Sequence, residues 1–375
     1  MVSIVLAPDS FKGTLTQFEA ADAMARGLRR RWPELATVRC PMADGGEGTA
    51  AVLAAARGGR FIEAATVDAY GRPRAGRFLL LPDRIAVIEA AAGPGYLRSD
   101  ARPGPARRAH SRGLGLLIRA AVREGARRLV VTLGGTGSSD GGMGTLLELG
   151  ARIAGAGEPG AAALSAVTAI ELVRLPIPLE VWVDVLPPLT GPRGAIRAYG
   201  PQKGLLAGEL DELDAAMERY GEILDRAAGK PVSETAGAGA AGGLGAALAA
   251  VGGRLVQGGV AVAEAVGLPA AIKDARAVIT GEGAVDAQSG DGKVVSVVCR
   301  LARNAGVPAL VVAGRLAGGG GPLYGDGVSA FFAVTPGHDR PGAASEAADR
   351  LERRLWELSR WLDPMVAPRY GVPGR

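Results

Sequence analysis

Five lysines stand out in a chain that otherwise carries its positive charge on arginine. Of 43 basic residues only Lys12, Lys203, Lys230, Lys273 and Lys293 are lysines, and four adjoin a glycine: Lys12-Gly13, Lys203-Gly204, Gly229-Lys230 and Gly292-Lys293. A compact ammonium beside a residue with no side chain lets backbone and charge approach a phosphate or carboxylate together. Acidic residues mark the same kind of loop. Asp9, Asp44, Glu47, Asp140, Asp184, Glu282, Asp286 and Asp291 follow apolar runs or lie in glycine-rich segments. Carboxylates so placed could hold Mg²⁺ together with substrate phosphates, or take the proton of an attacking hydroxyl. For each acid singly, a turn or N-cap role competes with that chemistry. The densest segment is Gly134-Gly135-Thr136-Gly137-Ser138-Ser139-Asp140-Gly141-Gly142, where glycines, three hydroxyls and an acid lie between an apolar run and a helical pattern. It reads as an anion nest with a metal-binding or basic residue.

Several other chemistries are excluded. Gly292-Lys293 lacks the glycine five positions earlier, where Ala287 stands, so there is no Walker loop. With only His110 and His338 a histidine-rich zinc site is impossible. Gly237-Ala238-Gly239-Ala240-Ala241-Gly242 matches GxGxxG, but Val232-Ser233-Glu234-Thr235 is a poor strand to precede it, and a close-packed helix start fits better than dinucleotide binding. The net charge of +5 is spread as arginine among acids, and aromatics make up 4%, which argues against a nucleic-acid partner. Cys40 and Cys299 form no framework, which fits a reducing cytoplasm. No signal peptide is visible, and the uncharged stretch 235–253 is mostly alanine and glycine, so no membrane span is expected.

Elements that would position these loops alternate between strand and helix. Val2 to Ala7 reads as a strand, and Phe18, Ala21, Met24, Ala25, Leu28 and Trp32 recur at helical spacing behind it. Ala36 to Met42 is a second strand, with a helix from Thr49 to Arg57. Phe78 to Leu81 and Ile85 to Ala90 look like a hairpin, and Leu129 to Leu133 and Glu180 to Val185 like further strands. Ala277 to Thr280, Val294 to Asn304 and Pro308 to Ala313 give strand, helix, strand, and Ala343 to Trp361 a covering helix. The pattern is α/β with largely parallel sheets and ligands at the carboxyl ends of the strands.

Five segments in order carry a resemblance: Ala7-Pro8-Asp9-Ser10-Phe11-Lys12-Gly13, Ala43-Asp44-Gly45-Gly46-Glu47-Gly48-Thr49, Gly200-Pro201-Gln202-Lys203-Gly204, the glycine run 237–243, and Ile279-Thr280-Gly281-Glu282-Gly283. Over about residues 1 to 315 the chain resembles the type 1 glycerate kinase family. The resemblance implies ATP-dependent phosphorylation of the 2-hydroxyl of D-glycerate with Mg²⁺. It also implies a three-layer Rossmann-like discontinuous domain, 1–66 with 280–375, around an inserted α/β domain, 67–279, with the site in the cleft. The expected partners are a small hydroxy acid and a nucleotide, with a homodimer as the assembly.

Within that frame Lys12, Asp140, Asp184, Asp286 and Lys293 are the catalytic candidates. Asp44, Glu47 and Glu282 are the metal candidates. Substrate and nucleotide binding falls to Asp9, Ser10, Gly45, Gly46, Gly135, Ser138, Ser139, Gly141, Lys203, Gly281 and Gly283. The chain departs from the family at GGSATNDGG, where Ser139 replaces the amide beside the acid, and at TTxGTGELI, where His110 to Ile118 stand. Ala284 replaces the arginine of GEGR, and Arg112 is either the natural compensating cation or a solvated helix-start residue. The alternatives are a kinase of another hydroxy or sugar acid, or a weakly active anion-binding or regulatory paralogue.

Overall fold

A computed structural model describes residues 3–95, 106–285, 293–316, 321–334, 344–364 and 366. The chain forms two compact units, Met1–Asp44 with Gly259–Arg375, and Gly45–Gly258.

The first unit begins with β1 (Ser3–Leu6), α1 (Gln17–Arg29) and β2 (Ala36–Arg39). The second opens with α2 (Thr49–Arg57), β3 (Arg60–Val67), β4 (Pro73–Leu80), β5 (Ile85–Glu89), α3 (Arg112–Arg123), β6 (Arg128–Leu133) and α4 (Met143–Glu148). It continues through β7 (Arg152–Ala154), β8 (Ala169–Glu171), β9 (Leu179–Val183), α5 (Ala195–Tyr199), α6 (Leu210–Ala228), α7 (Ala240–Ala250) and β10 (Arg254–Gln257). The chain returns to the first unit with α8 (Gly258–Ala265), α9 (Leu268–Lys273), β11 (Ala277–Val285) and α10 (Val294–Asn304). β12 (Ala309–Leu316), α11 (Gly321–Tyr324), β13 (Val328–Ala333) and α12 (Ala344–Leu358) complete it.

The first unit's sheet has the order β13-β12-β11-β1-β2 and is parallel throughout. Alternation along its strands divides the core. Ile4, Leu6, Ile279 and Val312 bury against Met24 and Leu28 of α1 and Leu351 and Leu355 of α12. Helix α10 packs on β11 and β12 from outside that cluster, burying Val295, Val298 and Cys299, so helices cover both faces. The expected covering helix is α12, tied to α1 by the Arg26–Glu352 ion pair at 2.8 Å.

The second unit's sheet is mixed, in the order β10-β9-β6-β5-β4-β3. β5, β6, β9 and β10 are parallel, whereas β3, β4 and β5 form the antiparallel arm that contains the expected hairpin. The boundary differs from the expected 66/67 and 279/280. β3 pairs with β4 along its whole length, from Arg60↔Leu80 to Val67↔Pro73, which carries residues after Gly45 into the second unit. At the far end α8 and α9 precede β11 and join the first unit. Among the described residues no helix is long and apolar enough to cross a membrane.

Candidate active site

In the first unit the candidate residues gather where β1 and β11 end. β1 lies between β2 on one side and β11 on the other, and the chain runs outward from it in both directions. A reversal of this kind leaves a crevice at the carboxyl ends of the strands. Ala7 and Asp9 donate backbone hydrogen bonds to Ile279 and Gly281 at 2.8 and 2.9 Å, holding the exit of β1 along β11. The next residues close a tight loop. The Phe11 amide donates to the Leu15 carbonyl at 2.8 Å, both side chains are buried, and Lys12 and Gly13 are left exposed at the tip. Thr16 then caps α1, its hydroxyl accepting from the Glu19 amide. Gly283 lies close against this loop, where a Cβ would stand 3.1 Å from the Lys12 nitrogen.

The electrostatics tie the cluster together. Burial, and next the Asp44 carboxylate, push Asp9 up to about 7, with Glu282 adding to the rise while the Ser10 amide and Lys12 oppose it. Asp9, Ser10, Lys12, Asp44, Gly281, Glu282 and Gly283 thus share one neighbourhood. Glu47 lies in the second unit, where its charge raises Glu89. No cluster of three or more His, Cys, Asp or Glu able to hold a metal exists among the described residues. The donors suit Mg²⁺ in its usual manner, one or two carboxylates completed by phosphates and water, and not an all-protein cage.

In the second unit Asp140 organises the glycine loop after β6. Its carboxylate is fully buried. Oδ2 accepts from the Ser111 amide, the Ser111 hydroxyl and the Gly144 amide, each at 2.9 Å, and Oδ1 accepts from the Gly142 amide at 3.2 Å. Four donors occupy this acid, an arrangement suited to holding the loop in place. Gly141 donates to the Gly242 carbonyl at 3.0 Å, and α7 breaks into the left-handed region at Ala241, Gly242 and Gly243 to allow that contact. A Cβ on Gly242 would fall 2.2 Å from the Ser138 carbonyl oxygen. The GxGxxG match thus serves close packing against residues 138–141. The segment Gly137-Ser138-Ser139-Asp140-Gly141 also fits GxSxG, but Ser139 is buried and its Oγ has no hydrogen-bond partner among the described residues.

Lys203 closes the other side of that loop. Its Nζ donates to the Ser138 carbonyl at 2.5 Å, and burial lowers its pKa from 10.5 to about 8 against the raising field of Asp140. Ser138 Oγ and the Tyr220 hydroxyl are likewise buried without a partner. Beyond Lys203 a cavity of about 490 Å³ opens at the ends of β6 and β9, walled by Gly134, Gly135, Thr136, Asp184, Gln202 and Lys203. Tyr199 also lines it, its phenol pushed up by burial and then by Asp184.

The remaining candidates are scattered. Gly45 lies against Gly258, and Gly46 accepts from the Thr132 hydroxyl at 3.4 Å. Lys293 is the N-cap of α10, half-buried. Asp286 and Asp291 lie outside the described residues. Arg112 is not a spare cation, since it pairs with Glu148 at 3.1 Å and Glu158 at 3.4 Å. Sequence reasoning missed Glu89, which accepts from the Ala50 amide at 2.9 Å at the start of α2, and whose pKa burial raises. With Glu47, Arg74, Arg77 and Gly135 it lines a second cavity of about 540 Å³. Its place at the carboxyl end of β5 was the available signal.

Comparison with known proteins places these features. The model of the glycerate kinase family matches residues 4–363. A glycerate kinase of Bacillus subtilis (strain 168) is 38% identical over 96% of this chain and 97% of its own length. A glycerate 2-kinase of Escherichia coli (strain K12) is 36% identical over 89% of this chain and 90% of its own. A crystal structure from Salmonella typhimurium LT2, assigned provisionally as glycerate kinase 2, superposes with a TM-score of 0.83 at 34% identity, covering 97% of this chain and 98% of that one.

Proposed function

The chain belongs to the glycerate kinase family and is a small-molecule kinase, and from that premise we propose that it transfers the γ-phosphoryl group of ATP to the 2-hydroxyl of D-glycerate. The products are 2-phosphoglycerate and ADP. One observation carries the reading: a cationic amine, an acid and a glycine-rich backbone, Lys203, Asp184 and Gly134-Gly135-Thr136, converge on one cavity at the ends of parallel strands. Phosphoryl transfer asks the protein for little covalent chemistry and much positioning, so this set is sufficient in kind.

Asp184 is the base. With Asp140 occupied by four donors, Asp184 is the described candidate acid that faces the cavity, and it accepts the hydroxyl proton as the substrate oxygen attacks the γ-phosphorus and ADP departs. Lys203 and the backbone of 134–136 neutralise and orient the anionic groups, held in place by the Asp140 clamp. In the first unit Lys12 supplies an exposed positive charge at the tip of a loop closed by backbone hydrogen bonds. Asp44 and Glu282 would hold Mg²⁺, whose charge, when bound, screens the phosphate oxygens. Ser10, beside Asp9, and Lys293, at the start of α10, are assigned to phosphate binding. The buried free thiols Cys40 and Cys299 suit a reducing, cytoplasmic setting.

A coupled assay of ADP release over a panel of small hydroxy acids tests the proposal. D-glycerate should give the highest kcat/KM. Release with another acid alone would replace the substrate, and release with none would overturn the reading.

A further inference from the structure

A third cavity, of about 710 Å³, lies in the second unit beside the start of α3 and shares no lining residue with the one that holds Lys203 and Asp184. Its wall carries Arg72, Arg107, Arg108, His110 and Arg112, and Val67, Leu116 and Ala163 give it an apolar floor. The two wall carboxylates, Glu148 and Glu158, are both answered by Arg112. Arg107 pairs with Glu209 at 3.4 Å and Glu212 at 2.9 Å. Arg72 and Arg108 form no ion pair among the described residues, so two guanidiniums of the wall are left unpaired.

His110 makes this more than a basic surface. It is only 8% exposed, and its Nδ1 accepts from the Arg112 amide at 3.4 Å, which leaves Nε2 to carry the proton of the neutral ring. Burial pushes its pKa down and so favours that neutral form. Nε2–H has no hydrogen-bond partner among the described residues, and it faces Gly71, whose absent Cβ would stand 3.4 Å away. A buried donor aimed into a cationic cavity with an apolar floor is a built site for an organic anion.

We propose that this cavity binds a phosphate monoester, with Arg72 and Arg108 clasping the phosphate, His110 Nε2–H donating to it and the apolar floor receiving the organic body. Two uncompensated guanidiniums match a dianion, and their forked donors together with the imidazole suit a group with three acceptor oxygens.

Calorimetric titration of the full chain with phosphoenolpyruvate tests this, with pyruvate as the unphosphorylated counterpart. Saturable binding of phosphoenolpyruvate is expected, much weaker binding of pyruvate, and a loss of at least about tenfold in affinity in the Arg72→Gln/Arg108→Gln double variant. Both side chains are exposed, so the double variant should fold and keep the wild-type kcat/KM of the kinase reaction. Lys203→Met, which alters the other cavity, should leave phosphoenolpyruvate affinity unchanged. Absence of saturable binding, equal affinity for pyruvate, unchanged affinity in the double variant, or loss of binding in Lys203→Met would each overturn the assignment.

Discussion

Replacing Asp140 by Asn separates a positioning role from a basic one. In the best orientation the amide oxygen keeps the place of Oδ2, with its bonds from Ser111 and Gly144, and the new NH₂ meets the Gly142 amide that donated at 3.2 Å. One hydrogen bond to a charged acceptor is lost, worth about 1.5–3 kcal/mol, and a buried N–H is left without an acceptor. The reversed orientation would forfeit three bonds and cost more. Asp140→Ala orphans all four donors at about 1–3 kcal/mol each, a sum comparable with the whole stability of a typical domain. The expected result is an unfolding free energy of the second unit, from urea titration, that falls by about 2–4 kcal/mol in Asp140→Asn and a second unit largely unfolded in Asp140→Ala. Amide exchange at Gly142 and Gly144 should accelerate in the Asn variant, with activity falling in step. An Asn variant with wild-type midpoint and protection but no turnover would refute the positioning role and make Asp140 the base.

Further outcomes follow from the other clusters. Lys12→Ala should fold as the wild type, because its side chain is exposed on a loop closed by backbone bonds, yet lose about two to three decades of kcat; wild-type turnover would remove Lys12 from the mechanism. Chelation of divalent cations should abolish activity with the nucleotide-free melting temperature unchanged, since no group of three ligands exists among the described residues; a large loss of stability would reveal a structural metal. Lys203 binds its proton less tightly folded than unfolded, so between about 8 and 10.5 the unfolded chain holds more protons and stability rises with pH, by about 3 kcal/mol in all. Over the same pH range kcat/KM should fall above about 8 as the ammonium is lost, and a limb that persists unchanged in Lys203→Met would exclude Lys203 as its source.

Local pattern carried most of the architecture. Alternating apolar runs and helical spacing placed β1, α1, α10 and α12 within about three residues, because each buries a regular face. The unit boundary was less legible, since it depends on the pairing of β3 with β4, a contact that the polar sequence of β3 does not announce. Glycine neighbours pointed correctly to Lys12 and Lys203 as loop cations, one exposed and one buried. Charge alone could not say how each acid is held. Asp140 and Asp184 look alike in sequence, and only the geometry of Ser111, Gly142 and Gly144 shows that the first is occupied. Arg112 was read as a spare charge because its partners, Glu148 and Glu158, are distant in sequence.

Phosphorus NMR of the product formed from D-glycerate, ATP and Mg²⁺ is the most direct test of the proposed reaction. A single new resonance coupled to the proton on C2, dependent on both substrates, is the predicted result. A resonance coupled to the C3 methylene protons, or none while ATP remains intact, would contradict transfer to the 2-hydroxyl.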